Sequence, residues 1–374
     1  MSGVRLGLGA AVLWSIATMA SVEGAILNVR TDGTGDFDQI SAACLAAAPG
    51  DTVAIWPGDH EEWDGEIPTI IHDKPLTLLG WGGGPEEVRA RVNLRFIGCG
   101  EIVIEGITFH DDVSPIRIAD GSLIMRTCRI TDNERLVGSP AAVTVSSGHD
   151  VVIEDCVFLR NRSIGVEGDR GAFAAVGIDV SVRRCWFEEN ETSGEGGGVW
   201  GSASHELRVE DCVFLRNRAP NAAALRGGAI GNVVVEGCTF YANETTNPDG
   251  AAVEVTWSDF GLNRCVIAGT VGGYGLGVQD AASLHCFCFW DNERGSAFGW
   301  VNMPAHYGNI EADPLFCDPE GDDFTLEATS PCAPQEHGGY MCGQIGAYGV
   351  GCGMSPVVPM SWGRIKAQYH GDVR

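Results

Sequence analysis

The sequence predicts an all-β chain, a right-handed parallel β-helix of about ten coils with an N-terminal helical cap and a Cys-rich C-terminal cap. Three observations predict it. Ile153-Glu-Asp-Cys156-Val-Phe158-Leu-Arg-Asn161-Arg162 returns almost letter for letter as Val209-Glu-Asp-Cys212-Val-Phe214-Leu-Arg-Asn217-Arg218. Cysteines at 128, 156, 185, 212, 238 and 265 are spaced by 28, 29, 27, 26 and 27 residues, a period that marks one supersecondary unit per repeat. Within each unit, apolar positions such as Leu207, Val209, Cys212 and Phe214 alternate, pause and alternate again. A Gly-rich apolar patch then follows, as in Gly196 to Val199, Gly227 to Ile230, Gly250 to Val253 and Gly275 to Val278. That reads as three short strands and three bends per coil. A leucine-rich repeat fits half of each unit, but leucine is sparse and glycine fills the half where that fold often places a helix.

Equivalent residues of successive coils should stack about 4.8 Å apart. Cys128, Cys156, Cys185, Cys212, Cys238 and Cys265 then form an inward column of small, buried thiols. Asn133, Asn161, Asn190, Asn217 and Asn243 form a ladder, because Asn tolerates left-handed backbone at a bend and stacked amides hydrogen-bond from coil to coil. The glycosylation sequons at Asn161, Asn190 and Asn243 are read as by-products of that ladder.

In chain order, residues 1–24 read as a signal peptide, with Arg5, an apolar run from Leu6 to Ala20 and small residues for cleavage. The solenoid with its N-terminal cap is assigned to 25–306, the Cys-rich cap to 307–353 and a tail to 354–374. Ile26 to Val29 reads as a strand. Asp36 and Gln39 are read as a capping box for a helix whose buried face is Phe37, Ile40, Cys44 and Ala47, ended by Pro49-Gly50. Such a helix would cover the open end of the stack. Export makes disulfides persist. Cys317, Cys332, Cys342 and Cys352 are expected to form two, most simply 317 with 332 and 342 with 352 among three connectivities.

Asp32-Gly-Thr-Gly-Asp-Phe-Asp-Gln-Ile-Ser-Ala-Ala and Gly50-Asp-Thr-Val-Ala-Ile-Trp-Pro-Gly58 resemble the N-terminal entry of pectin-lyase-like β-helix proteins, pectin methylesterases among them. The Cys repeats resemble the generic coils of the same superfamily. For a methylesterase the resemblance implies carboxylates as nucleophile and acid/base with a glutamine at the oxyanion. Gly272 stands where the nucleophilic Asp should be, and Gln279-Asp280 follows the motif it should precede. Asp111-Asp112, Gly148-His-Asp150 and Arg364-Ile-Lys366 are similar to scattered pieces of a polygalacturonase set. A lyase base would come from an Arg such as Arg117, Arg126 or Arg129.

The net charge of −26, with Lys74 and Lys366 the only lysines, argues against nucleic acid or anionic membranes as partners. No segment of the mature chain reads as a transmembrane span, and a monomer is expected. Asp318, Glu320, Asp322 and Asp323 crowd one loop and are candidate calcium ligands. Trp200, Trp257 and Trp300 each follow a third-strand segment and are the candidate carbohydrate platform. The expected function is non-catalytic binding of an extracellular polysaccharide, or a structural role, at or outside the cell surface. The alternative is a polysaccharide lyase or glycoside hydrolase.

Overall fold

A computed structural model describes residues 24–62, 67–112, 114–135, 142–165, 170–202, 205–229, 231–257, 259–302 and 307–352. The stretch read as a signal peptide, apart from Gly24, and the 354–374 tail lie outside the described residues. The chain winds into a parallel β-solenoid of about ten turns with three walls. Sheet A has seventeen strands, sheet B eleven and sheet C five. One coil runs Val143–Glu154 in sheet A, Val157–Leu159 in sheet B and Arg162–Ser163 in sheet C. The next pairs with it in register, Ile153 on Val182 and Phe158 on Phe187.

The repeat motif sets the corners. The residue before each column Cys is left-handed, as at Asp155 (φ 53°), Arg184 (φ 49°), Asp211 (φ 52°) and Arg264 (φ 53°). So is the residue before each ladder Asn, as at Arg160, Glu189 and Arg216 (φ 52° each). The left-handed geometry expected of Asn itself therefore falls one position earlier. Left-handed backbone costs a non-Gly residue about 1–2 kcal/mol, and the Asn that follows offsets it. Each Asn Oδ1 accepts both the backbone N–H and the Nδ2 of the Asn one coil before, at 3.0 and 2.9 Å from Asn161 to Asn190 and at 3.1 and 2.9 Å from Asn190 to Asn217. The ladder runs unbroken from Asn133 to Asn243, every rung buried. The three sequon amides are occupied in this way.

Inside, Phe158, Phe187, Phe214 and Phe240 stack at centroid separations of 4.7, 4.8 and 4.8 Å. Beside them the column thiols are fully buried and stay as thiols, each donating to a carbonyl of the coil before, as Cys212 does to Val182 O at 3.6 Å. Burial pushes the Cys156, Cys212 and Cys238 thiols well above the usual range.

The N-terminal helix α1 spans Ile40–Ala46 and buries Ile40, Ala43 and Cys44 against the first coils. Its caps differ from the predicted box. Gln39 caps with no side-chain bond, and Asp36 instead accepts from the Asn28 backbone and side chain at 2.8 and 3.1 Å. The Glu62 carboxylate takes the N–H groups of Ile40 and Ser41. Lys74 Nζ closes the other end on Leu45 O and Ala47 O at 2.9 and 2.7 Å. Both caps reach the helix from the solenoid it covers, so neither lies at capping-box spacing.

The C-terminal Cys-rich segment is a cap laid along the flank. After the last sheet B strand, Ile310–Glu311, it turns back, and Phe316, Phe324, Ala347 and Tyr348 pack on Val157, Leu159, Trp186, Val213 and Leu215 of sheet B. Its disulfides are Cys286–Cys342 and Cys317–Cys352, with Cα separations of 5.7 and 5.3 Å. The simplest expected pairing is thus corrected: Cys342 bridges to the solenoid through Cys286, and Cys332 is a buried thiol. Because the segment lies against sheet B, its nearest cysteine partner there belongs to a coil.

Candidate functional site

The three walls differ outside. Sheet B is covered by the flank segment from Val157 onward. Sheet C carries an ion ladder: Glu134, Arg162, Glu191, Arg218 and Glu244 occupy one register position of five successive coils. Arg162 bonds Glu134 and Glu191 at 3.1 and 3.0 Å, and Arg218 bonds Glu191 and Glu244 at 2.7 and 3.0 Å. The second half of sheet A pairs its outward charges too, Arg126 with Glu154 and Arg208 with Glu210.

The first half of sheet A presents a different column. Arg95, Arg117, Thr144, Ala174, Trp200, Arg226, Glu254, Gly277 and Phe298 follow one another coil by coil. At its centre the Arg170 guanidinium lies 3.8 Å over the half-buried Trp200 ring, a cation–π contact. Arg226 Nε meets Glu195 Oε2 at 3.2 Å, and its Nη1 meets Glu254 Oε2 at 2.9 Å. Glu254 Oε1 also accepts from Ala251 N at 3.1 Å. Burial raises the Glu254 carboxyl above its ordinary range against the pull of Arg226. Four coils beyond Trp200, Phe298 packs beside Tyr274, the ring centroids 5.1 Å apart. A Cβ on Gly277 would come within 2.6 Å of the Phe298 ring, so glycine there gives the ring its place. Trp200 and Phe298 are four strand spacings apart, about 19 Å.

Register revises the expected tryptophan platform. Trp257 is 72% exposed, but it occupies a corner with φ 56°, one residue past Thr256 and outside the Trp200 column. Trp300 follows Gly299, two places beyond Phe298, and its side chain lies outside the described residues. Of the three, only Trp200 stands in this column. Among the residues missed in the sequence reading, Arg226 and Glu254 were signalled by the coil period, 26 residues separating Trp200 from Arg226 and 28 separating Arg226 from Glu254; Phe298 was not, because the next two coils shorten to 23 and 21 residues.

The calcium loop does not converge. Asp318 accepts from Gly321 N at 3.2 Å, Asp323 from Thr325 N at 3.0 Å, and Asp322 pairs with Arg216 Nη2 at 3.1 Å. Glu320 sits in the intervening 3-10 turn. Each of the three aspartates completes a local turn or an ion pair. Among the described residues no group of three His, Cys, Asp or Glu side chains is placed to hold a metal.

The scattered enzyme motifs stay scattered. Asp111 (φ 50°) is at the corner after sheet B and bonds His110 Nδ1 at 2.9 Å. His149 and Asp150 lie where the long sheet A strand bends, and residues 364 to 366 lie outside the described residues. A Cβ on Gly272 would meet Thr245 O at 2.2 Å, so that position admits no Asp. Arg126 is tied to Glu154, Arg129 is buried on the sheet B side, and Arg117 stands in the Trp200 column three coils earlier.

Residues 90–230 match the family model described as right handed beta helix region. The coils are those of a right-handed parallel β-helix. No curated protein matches the chain. The matched stretch contains most of the β-helix column just described, from Arg95 to Arg226, but Glu254 and Phe298 lie beyond it.

Proposed function

We propose that this β-helix binds an extended extracellular polysaccharide, without catalysis, along the sheet A column from Trp200 to Phe298. The supporting observation is the pairing of an Arg-backed indole with a second aromatic about 19 Å further along the same column. Flat rings stack on the apolar faces of sugars, and the partly exposed Arg226 and Glu195 between or beside them offer donors and acceptors to hydroxyls. A straight, regular wall suits a chain better than a compact ligand.

Binding is favoured over cleavage by the state of the carboxylates. Glu195 and Glu254 both address the same guanidinium, and Glu254 also accepts a backbone N–H. A glycosidase needs one acid free to deliver its proton and one carboxylate free to attack or to activate water. Excess negative charge across the chain disfavours polyuronates, so a neutral glycan is the preferred ligand. Secretion supplies the compartment in which this partner is met.

The test is retention in affinity electrophoresis through a panel of neutral and acidic polysaccharides. Trp200→Ala and Phe298→Ala should each weaken retention on the bound glycan at least about tenfold, the fraction of binding that one aromatic anchor commonly carries, while Trp257→Ala leaves it unchanged. Retention indifferent to Trp200 and Phe298, or release of reducing ends or unsaturated products by the wild type, would overturn the reading.

A further inference from the structure

Three pairs of cysteines lie within the flank segment or between it and the β-helix, and two of them are disulfides. Cys286 and Cys342 join at a Cα separation of 5.7 Å, and Cys317 joins Cys352 within the segment. The third pair is Cys288 and Cys332. Cys288 occupies an outward position of sheet B, in register with Val266 on one side and Ile310 on the other. Cys332 comes from the flank segment, fixed by its N–H to Ser330 Oγ and its carbonyl to Ile345 N, both at 3.0 Å. Each residue is 0% exposed, and they share one cluster with Val266, Leu326 and Ile345. Cys288 Sγ donates to Ala312 O at 3.2 Å.

This arrangement differs from that of the column cysteines. Those project side by side from parallel strands, which offers poor geometry for the near-right-angle disulfide dihedral. Cys288 and Cys332 come from two different elements, a coil and the flank segment, that are packed together in one buried cluster. We propose that Cys288 and Cys332 are a third disulfide site, closing the flank segment onto the β-helix beside the Cys286–Cys342 bridge.

The oxidant is a small-molecule or protein disulfide. One thiolate of the pair attacks it to give a mixed disulfide and release one thiol. The second cysteine then attacks that mixed disulfide, so that one S–S bond forms, one breaks, and two thiols leave with the protons. Both cysteines are fully buried once the segment has docked, which closes them to a dissolved oxidant. The bridge is therefore made while the segment is still docking. Reduced protein that has already folded should stay reduced at this site.

The experiment refolds the full chain from the denatured, reduced state in a buffer of glutathione and glutathione disulfide. The product is denatured without reduction, alkylated and mapped by mass. Of fourteen cysteines, three bridges leave eight alkylated, and the peptides bearing Cys288 and Cys332 are found joined. Cys332→Ser should free Cys288 for alkylation while Cys286–Cys342 and Cys317–Cys352 remain. Alkylation of both Cys288 and Cys332 beside the two intact bridges overturns the proposal. So does linkage of either to another partner, or a bridge at Cys288 that survives Cys332→Ser.

Discussion

Replacing Asn217 with Ala removes four buried hydrogen bonds and tests the ladder at its middle. Asn217 Nδ2 donates to Asn243 Oδ1 at 3.0 Å and to Phe187 O at 2.9 Å, and its Oδ1 accepts from Asn190 N and Nδ2 at 3.1 and 2.9 Å. The losses are unequal. Asn243 Oδ1 keeps the Asn217 backbone N–H at 3.0 Å, and Asn190 Nδ2 keeps Phe158 O at 2.9 Å. The Asn190 backbone N–H keeps nothing. With one main-chain donor orphaned and three groups half-satisfied, at about 1–3 kcal/mol for each buried group left unpaired, the cost is about 3 kcal/mol. For a chain of this length the unfolding entropy is roughly 0.7 kcal/mol per degree, so the thermal midpoint should fall by about 4 °C. Solenoids need not melt as one unit. Hydrogen exchange on the peptide covering 187–191 is therefore the local measure and should speed up beside the change in midpoint. A midpoint within about 1 °C of the wild type, with exchange at 187–191 unaltered, would refute the claim that the amides carry the coil register.

Two other predictions follow from charges described above. Burial pushes the Glu191 carboxyl up, but the hydrogen bonds from Arg218 and Arg162 prevail and hold it below its ordinary 4.5; a depressed carboxylate stabilises the fold above its unfolded value and loses that contribution as pH falls through the folded one. Glu191→Gln should therefore flatten the drop in urea midpoint on acidification below 4.5, and an unchanged slope would count against the ion ladder. Glu62→Ala strips the cap from Ile40 N and Ser41 N at about 1 kcal/mol; hydrogen exchange over residues 40–47 should rise while that of the central coils stays fixed, and equal exchange in both proteins would show that water replaces the cap.

The coil was legible because its markers obey a period: Cys156, Cys185 and Cys212 differ by about one turn of chain, and Asn161, Asn190 and Asn217 follow in phase. The covered flank was legible too, but by a signal left unread. In Cys156-Val-Phe-Leu159 three apolar residues run consecutively, and all three are buried, which in a strand places apolar side chains on both faces. The outer pair, Val157 and Leu159, required a cover that the 316–348 segment supplies. The Cys286–Cys342 pairing was not legible, because it depends on where the segment lies in space, and its two halves are 56 residues apart. The different placement of the tryptophans was hidden for a related reason: Trp257 follows its strand at a corner and Trp200 lies within one, a difference of three positions that only register reveals.

The ion ladder on sheet C gives the β-helix a parity. Acid and base alternate from coil to coil, so a shift of the stack by one coil would set Glu beside Glu and Arg beside Arg, whereas a shift by two restores every pair. The strongest internal echo in the chain obeys that rule. Residues 153–162 are echoed at 209–218, two coils on, while the intervening copy around Cys185 carries Glu191 where the others carry Arg162 and Arg218. The chain counts its coils in twos. An array of this kind can lengthen or shorten by a pair of turns and remain electrically whole, but the loss of a single turn would leave a seam of like charges through its edge.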